Sequence, residues 1–228
     1  MRHLKKFNES IIDYNSDSIK GFYDEMLQEL YNSKPEEVKE KRPNYLPKHG
    51  HGFRREPEVS FEKTVEIGSR HDISVVKYRD FYNGLREVDK KTAPPREAPA
   101  FALVNSNNKA QVVLNVPGVD KRLIDYIYHM LKHETVHIGQ FSKRGDVYKP
   151  LADPSKPKEY FSDKDEVMAF SQSIVDMLKD RCKNKKDALK QLKYNQLYSD
   201  IKRNVDVKTL QRYKKYIYLY LDKEFPEV

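Results

Sequence analysis

"LKHETVHIGQ", residues 131–140, is the stretch on which the reading of this chain turns. His133 is followed at once by Glu134 and, four positions on, by His137, giving the spacing H-E-x-x-H. Residues four apart share a helix face, one turn apart, so both imidazoles can reach one Zn²⁺ at about 2.0–2.1 Å. The glutamate projects beside such an ion, where it ligates poorly but can take a proton from a water. The flanks are helical in pattern: Leu123, Ile124, Ile127, Leu131 and Ile138 recur at helical spacing through "PGVDKRLIDYIYHMLKHETVHIGQFSK". Chance alone yields the motif in roughly one chain of this length per hundred, so its context decides.

A catalytic zinc takes three protein ligands and keeps one position open. Glu166, in "SDKDEVMAF", is the candidate third ligand. It lies 29 residues beyond His137, in the first turn of the next expected helix. Ser162 is the expected N-cap there, with Asp165 three residues later. Asp163 and Asp165 could ligate in its place, or could orient a ligand histidine through its other ring nitrogen. His129 extends the histidines to an i, i+4, i+8 ladder. The outer two lie about 12 Å apart along a straight helix, too far to share one ion. His129 is therefore read as a neighbour of the site or a surface residue. A third histidine six positions after His137 is excluded, since that position is Lys143.

His133-Glu134-Thr-Val-His137, followed by Glu166-Val-Met-Ala169, resembles the gluzincin-type zinc metallopeptidases, over roughly residues 100–178. In that group two histidines and a glutamate from a later E-x-x-A or E-x-x-D helix bind the metal. The resemblance implies Zn²⁺ held by His133, His137 and Glu166, with Glu134 as general base in peptide-bond hydrolysis by a zinc-activated water. It implies a zincin-like fold, a small antiparallel sheet packed on the active-site helix. It also implies a donor for the oxyanion, for which Tyr160 and His71 are the candidates. In such enzymes an edge strand before the active helix binds the substrate backbone, and "AQVVLNV" occupies the corresponding place. An ordinary core strand fits that segment equally well.

Around this centre the pattern is α+β, with helix dominating. "SDSIKGFYDEMLQELY" sets Ile19, Phe22, Met26 and Leu30 at helical spacing. A Pro-rich loop follows, then "VSFEKTVEI", whose alternation predicts a strand, and "VVKYRDFYNGLREV", read as a short helix. "AFALV" and "AQVVLNV", joined by "NSNNK", form a hairpin signal. After a second Pro-rich loop come further helices, the last with Leu210, Tyr213, Ile217 and Leu221 on one face. The expected organisation is an N-terminal helix and loop over 1–58, a zincin-like core over 59–182 and a basic helical extension over 183–228.

The chain has 228 residues, 38% hydrophobic and 34% charged, with 16 Tyr and 10 Phe to fill a core. Cys182 stands alone, so no internal disulfide forms, which suits a reducing compartment. No apolar run follows the basic start, so neither a signal peptide nor a membrane span is expected. "MRHLKKFNES" resembles the starts of many tailed-phage proteins. That implies a bacteriophage protein acting in the host cytoplasm or carried in the virion. The net charge is +8, and the last 50 residues hold 14 Lys and Arg against 7 Asp and Glu. Such a segment can meet nucleic acid or an acidic partner, or simply form a solvated helix face. The competing functional class is a non-enzymatic phage structural or nucleic-acid-associated protein on a zincin-like scaffold. His49 and His51, between glycines, are read as solvated, and the tyrosines interleaved with Lys and Arg near the end as core.

Overall fold

A computed structural model of the chain describes residues 16–33, 57–85, 87–90, 98–105, 107, 109–144 and 156–226. Most of both Pro-rich stretches, His49, His51 and the opening ten residues lie outside these. The described residues form ten helices and five short strands, an α+β architecture. The chain divides into two compact units, Met1–Ile138 and Gly139–Val228.

The first unit runs α1 (Ser16–Asn32), β1 (Val59–Ser60), α2 (Phe61–Arg70), β2 (Ser74–Lys77), α3 (Tyr78–Gly84), α4 (Glu87–Lys90), β3 (Ala100–Val104), β4 (Ala110–Leu114), β5 (Gly118–Val119) and most of α5 (Lys121–Arg144). In α1 the expected face, Ile19, Phe22, Met26 and Leu30, is buried. Gly21 brings this helix close to α2: a Cβ there would lie 2.6 Å from His71 Cε1. Glu25 of α1 then takes His71 at 2.7 Å and Arg70 at 3.0 Å.

Two expectations need correction here. "VSFEKTVEI" is not a strand beyond Val59–Ser60; Phe61–Arg70 is helical. Its buried residues Phe61, Thr64 and Ile67 follow a period near three, so burying one helical face outweighs the local alternation. Thr64 Oγ1 also donates back to Ser60 O at 3.0 Å, a bond within the first turn. The main sheet is mixed rather than antiparallel. Its order is β2-β4-β3, with β3 and β4 an antiparallel hairpin and β2 parallel to β4. "AQVVLNV" thus supplies the central strand β4, bonded on both sides, and has no free edge to offer a substrate backbone. The ladders run Val75 to Val112 and Ala102 to Val112, which fixes the register on both flanks. A separate antiparallel pair joins β1 to β5 just before α5.

The second unit holds the end of α5, then α6 (Pro157–Tyr160), α7 (Lys164–Lys179), α8 (Lys185–Leu192), α9 (Gln196–Asn204) and α10 (Val207–Glu224). Ile174, Val175 and Leu178 of α7 share a core with Ala188, Leu192, Ile201, Tyr213, Ile217, Tyr220 and Leu221. Of the tyrosines interleaved with Lys and Arg, Tyr213 and Tyr220 are core as expected, whereas Tyr194 and Tyr218 are exposed, against that expectation. Each of the last three helices opens on a side-chain cap. Asn184, Asn195 and Asp206 accept from the backbone N–H of Asp187, Tyr198 and Thr209. These caps satisfy N–H groups the helix cannot, and so set where each helix starts. Among the described residues no helix is long and apolar enough to cross a membrane.

Candidate metal centre

The centre begins within α5. One helical turn separates His133 from His137, and their Nε2 atoms lie 3.1 Å apart with the rings steeply inclined at 74°. Two ligand nitrogens about 2.05 Å from a tetrahedral ion are themselves about 3.3 Å apart. The observed spacing thus suits a shared ion, and equally a hydrogen bond between neutral imidazoles. His137 is fully buried, and His133 and Glu134 each keep 8% of their surface exposed.

Three residues past His137, on the same face of the helix, Gln140 Nε2 donates to Asp165 O at 3.1 Å. This bond holds the first turn of α7 against the last turn of α5. Asp163 opens α7 as its N-cap, Oδ1 accepting from Asp165 N at 2.8 Å. The cap is one residue later than Ser162, the expected position. A carboxylate is also the better group there, since it faces the positive end of the helix. Asp165 and Glu166 follow in the first turn, both buried, Glu166 completely.

The ligand atoms of His133, His137 and Glu166 all lie within 4.8 Å of one another. Among the described residues they are the one cluster of three or more His, Cys, Asp and Glu side chains with that spacing. Two imidazole nitrogens and a carboxylate oxygen are the donor set zinc prefers at a catalytic centre. Burial adds a second reason. A fully buried carboxylate is costly in low dielectric unless a cation or strong hydrogen bonds offset its charge. The residues present therefore fit the ion.

The remaining sequence candidates fall as follows. Glu134 is adjacent to His133 and nearly buried. Asp163 is committed to capping α7. Asp165 receives Gln140 through its backbone carbonyl. His129, half-buried on the preceding turn, packs its ring 5.8 Å from Tyr128. Tyr160 ends α6, its ring in a cluster with Phe161 and Phe170 at 5.6 Å from each. His71 is engaged by Glu25 at the end of α2. Cys182 is half-buried, and burial pushes its thiol up, which keeps it protonated.

Two contributors escaped the sequence reading. Gln140 is one, although a polar residue on a buried helix face three positions after a candidate ligand was a usable signal. Tyr213 is the other. Its hydroxyl donates to Phe161 O at 2.9 Å and so ties α10 to the segment that leads into α7. Burial drives its phenol far above the usual range, and the carboxylates of Glu166 and Asp163 add to the effect. Nothing in the periodicity of "LQRYKKYIYLY" distinguishes Tyr213 from the other core tyrosines.

Comparison of the chain with protein-family models, with curated proteins and with solved structures finds no match in any of the three.

Proposed function

We propose that this chain is a zinc-dependent metallopeptidase with a zincin-like core. His133, His137 and Glu166 hold the ion, and Glu134 serves as general base. The observation that carries this reading is the grouping of Glu166 with both histidines of the H-E-x-x-H turn, their ligand atoms within 4.8 Å although Glu166 lies 29 residues beyond His137. When bound, Zn²⁺ supplies Lewis acidity, lowering the pKa of a water and polarising a carbonyl oxygen. Glu134 follows a ligand directly, so its carboxylate stands beside the ion rather than on it. From there it accepts the proton of the attacking water and returns it to the leaving amine. Tyr160 is proposed as the hydroxyl that steadies the oxyanion.

Glu134→Gln tests the assignment, because the amide keeps the shape but cannot take the proton. The variant should bind zinc as the parent does and lose hydrolysis of a fluorogenic casein substrate by at least about a hundredfold. Hydrolysis at the parental rate would remove Glu134 from the mechanism.

Burial supports a second reading. His133, Glu134, His137 and Glu166 each expose less than a tenth of their surface. A closed site of that kind also suits a metal that only stabilises a non-enzymatic structural protein. Stoichiometric zinc without hydrolysis of any peptide would favour it.

A further inference from the structure

We infer that α8 and the turn after it form a binding surface for single-stranded nucleic acid, independent of the metal centre. Residues 181–194 hold six basic side chains and one acidic one. Two features of the fold turn that composition into a surface.

The first is the sorting of charge around α8. Ala188 and Leu192 face the core. At 100° per residue, Lys186, Lys190 and Lys193 point about 100–160° away from these two, and all three are exposed. Lys185 points nearer the core and pairs with Asp222 of α10, while Lys179 pairs with Glu224. The acidic residues of α10 are thus spent on the inner lysines. Among the described residues no carboxylate pairs with Lys183, Lys186, Lys190 or Lys193. The one acid within α8, Asp187, is held by the Asn184 cap through its N–H and its carboxylate. The outer face is a row of uncompensated ammonium groups one helical turn apart.

The second is Tyr194. It is 72% exposed, directly after that row, with Lys193 Nζ 4.7 Å over its ring. This ring sits on a fixed turn. Tyr194 N donates to Gln191 O at 2.9 Å, Asn195 N to Leu192 O at 3.1 Å, and Asn195 caps α9. An exposed aromatic has an apolar face to cover, and a cation beside it suits a base stacked on the ring with its phosphate on the lysines. A duplex keeps its bases stacked inside and would use only the lysines. An acidic protein or an anionic membrane would likewise need the charges but not a flat partner for the ring. The pairing of the two features favours a single strand.

The test measures anisotropy of a fluorescein-labelled 15-nucleotide oligo(dT), and of a 15-base-pair duplex, against the full-length chain. Three lysines on phosphates predict a log–log salt slope of about −2, hence roughly 20-fold weaker binding from 50 to 200 mM salt. Lys186→Glu, Lys190→Glu and Lys193→Glu together should weaken oligo(dT) binding more than tenfold. Tyr194→Ala should weaken it at least about fivefold while leaving the duplex within twofold. All four side chains are exposed, so circular dichroism and melting should match the parent. The inference is overturned by a triple variant that binds as the parent does, or by equal loss on oligo(dT) and duplex in Tyr194→Ala. It is also overturned if phosphatidylserine vesicles bind and oligo(dT) does not.

Discussion

Replacing Glu166 with Gln should remove most of the stability that zinc confers on the protein. In the parent, Glu166 is fully buried beside two imidazoles. A carboxylate at such a position is a strong ligand once a cation is present. With zinc at a hundredfold its Kd, linkage contributes about 2.7 kcal/mol. For a chain of 228 residues each kcal/mol moves Tm by about 2–4 °C, so zinc should raise the parental Tm by roughly 5–11 °C. Glu166→Gln keeps the volume, removes the charge and leaves a poor ligand. In zinc its shift should fall below about 2 °C, since two ligands hold the ion far less well than three. Differential scanning calorimetry of both proteins, with EDTA and with buffered zinc, reads all four values. Equal zinc shifts in parent and variant would remove Glu166 from the ligand set.

Two further perturbations probe the frame around the site. Asp163→Ala removes the cap of α7 and should cost about 1 kcal/mol, a fall of about 2–4 °C in Tm, with weaker zinc binding because Glu166 lies in the turn the cap fixes. Glu58 sits half-buried, and desolvation, with Asp120 nearby, raises its carboxyl above the ordinary value. A raised acid favours the protonated form in the fold, so its ionisation costs stability once pH exceeds the unfolded value near 4.3. Glu58→Gln should accordingly be more stable than the parent at pH 7, and urea titrations should show the gap closing as pH falls through about 4.5.

The sequence disclosed the parts of the fold that local chemistry controls. The α1 face of Ile19, Phe22, Met26 and Leu30, the β3–β4 hairpin and the α5 stripe from Leu123 to Ile138 are all buried or paired as their spacing predicts. So are Tyr213, Ile217 and Leu221 in α10. Long-range pairing was not legible. Nothing local tells that Ser74–Lys77 will join β4 in parallel and make it a central strand. "VSFEKTVEI" offered both periods, and packing of Phe61, Thr64 and Ile67 chose the helix. At the candidate site, His133 and His137 were readable because one turn of helix fixes their relation. Glu166 was a choice among three nearby acids: the side chain of Asp163 is taken by the cap, and of the two buried acids that follow, Asp165 and Glu166, only Glu166 groups with the histidines. Gln140 stayed hidden because its role is a bond to a backbone carbonyl 25 residues away.

X-ray absorption at the zinc edge, on full-length protein loaded with one equivalent of zinc and freed of excess, reads the ligands of the ion themselves. A near-stoichiometric ion with two imidazole nitrogens and one carboxylate oxygen at about 2.0–2.2 Å is expected, with loss of imidazole scattering in His133→Ala. Zinc that washes away, or a bound ion whose spectrum carries no imidazole signature, would contradict that expectation.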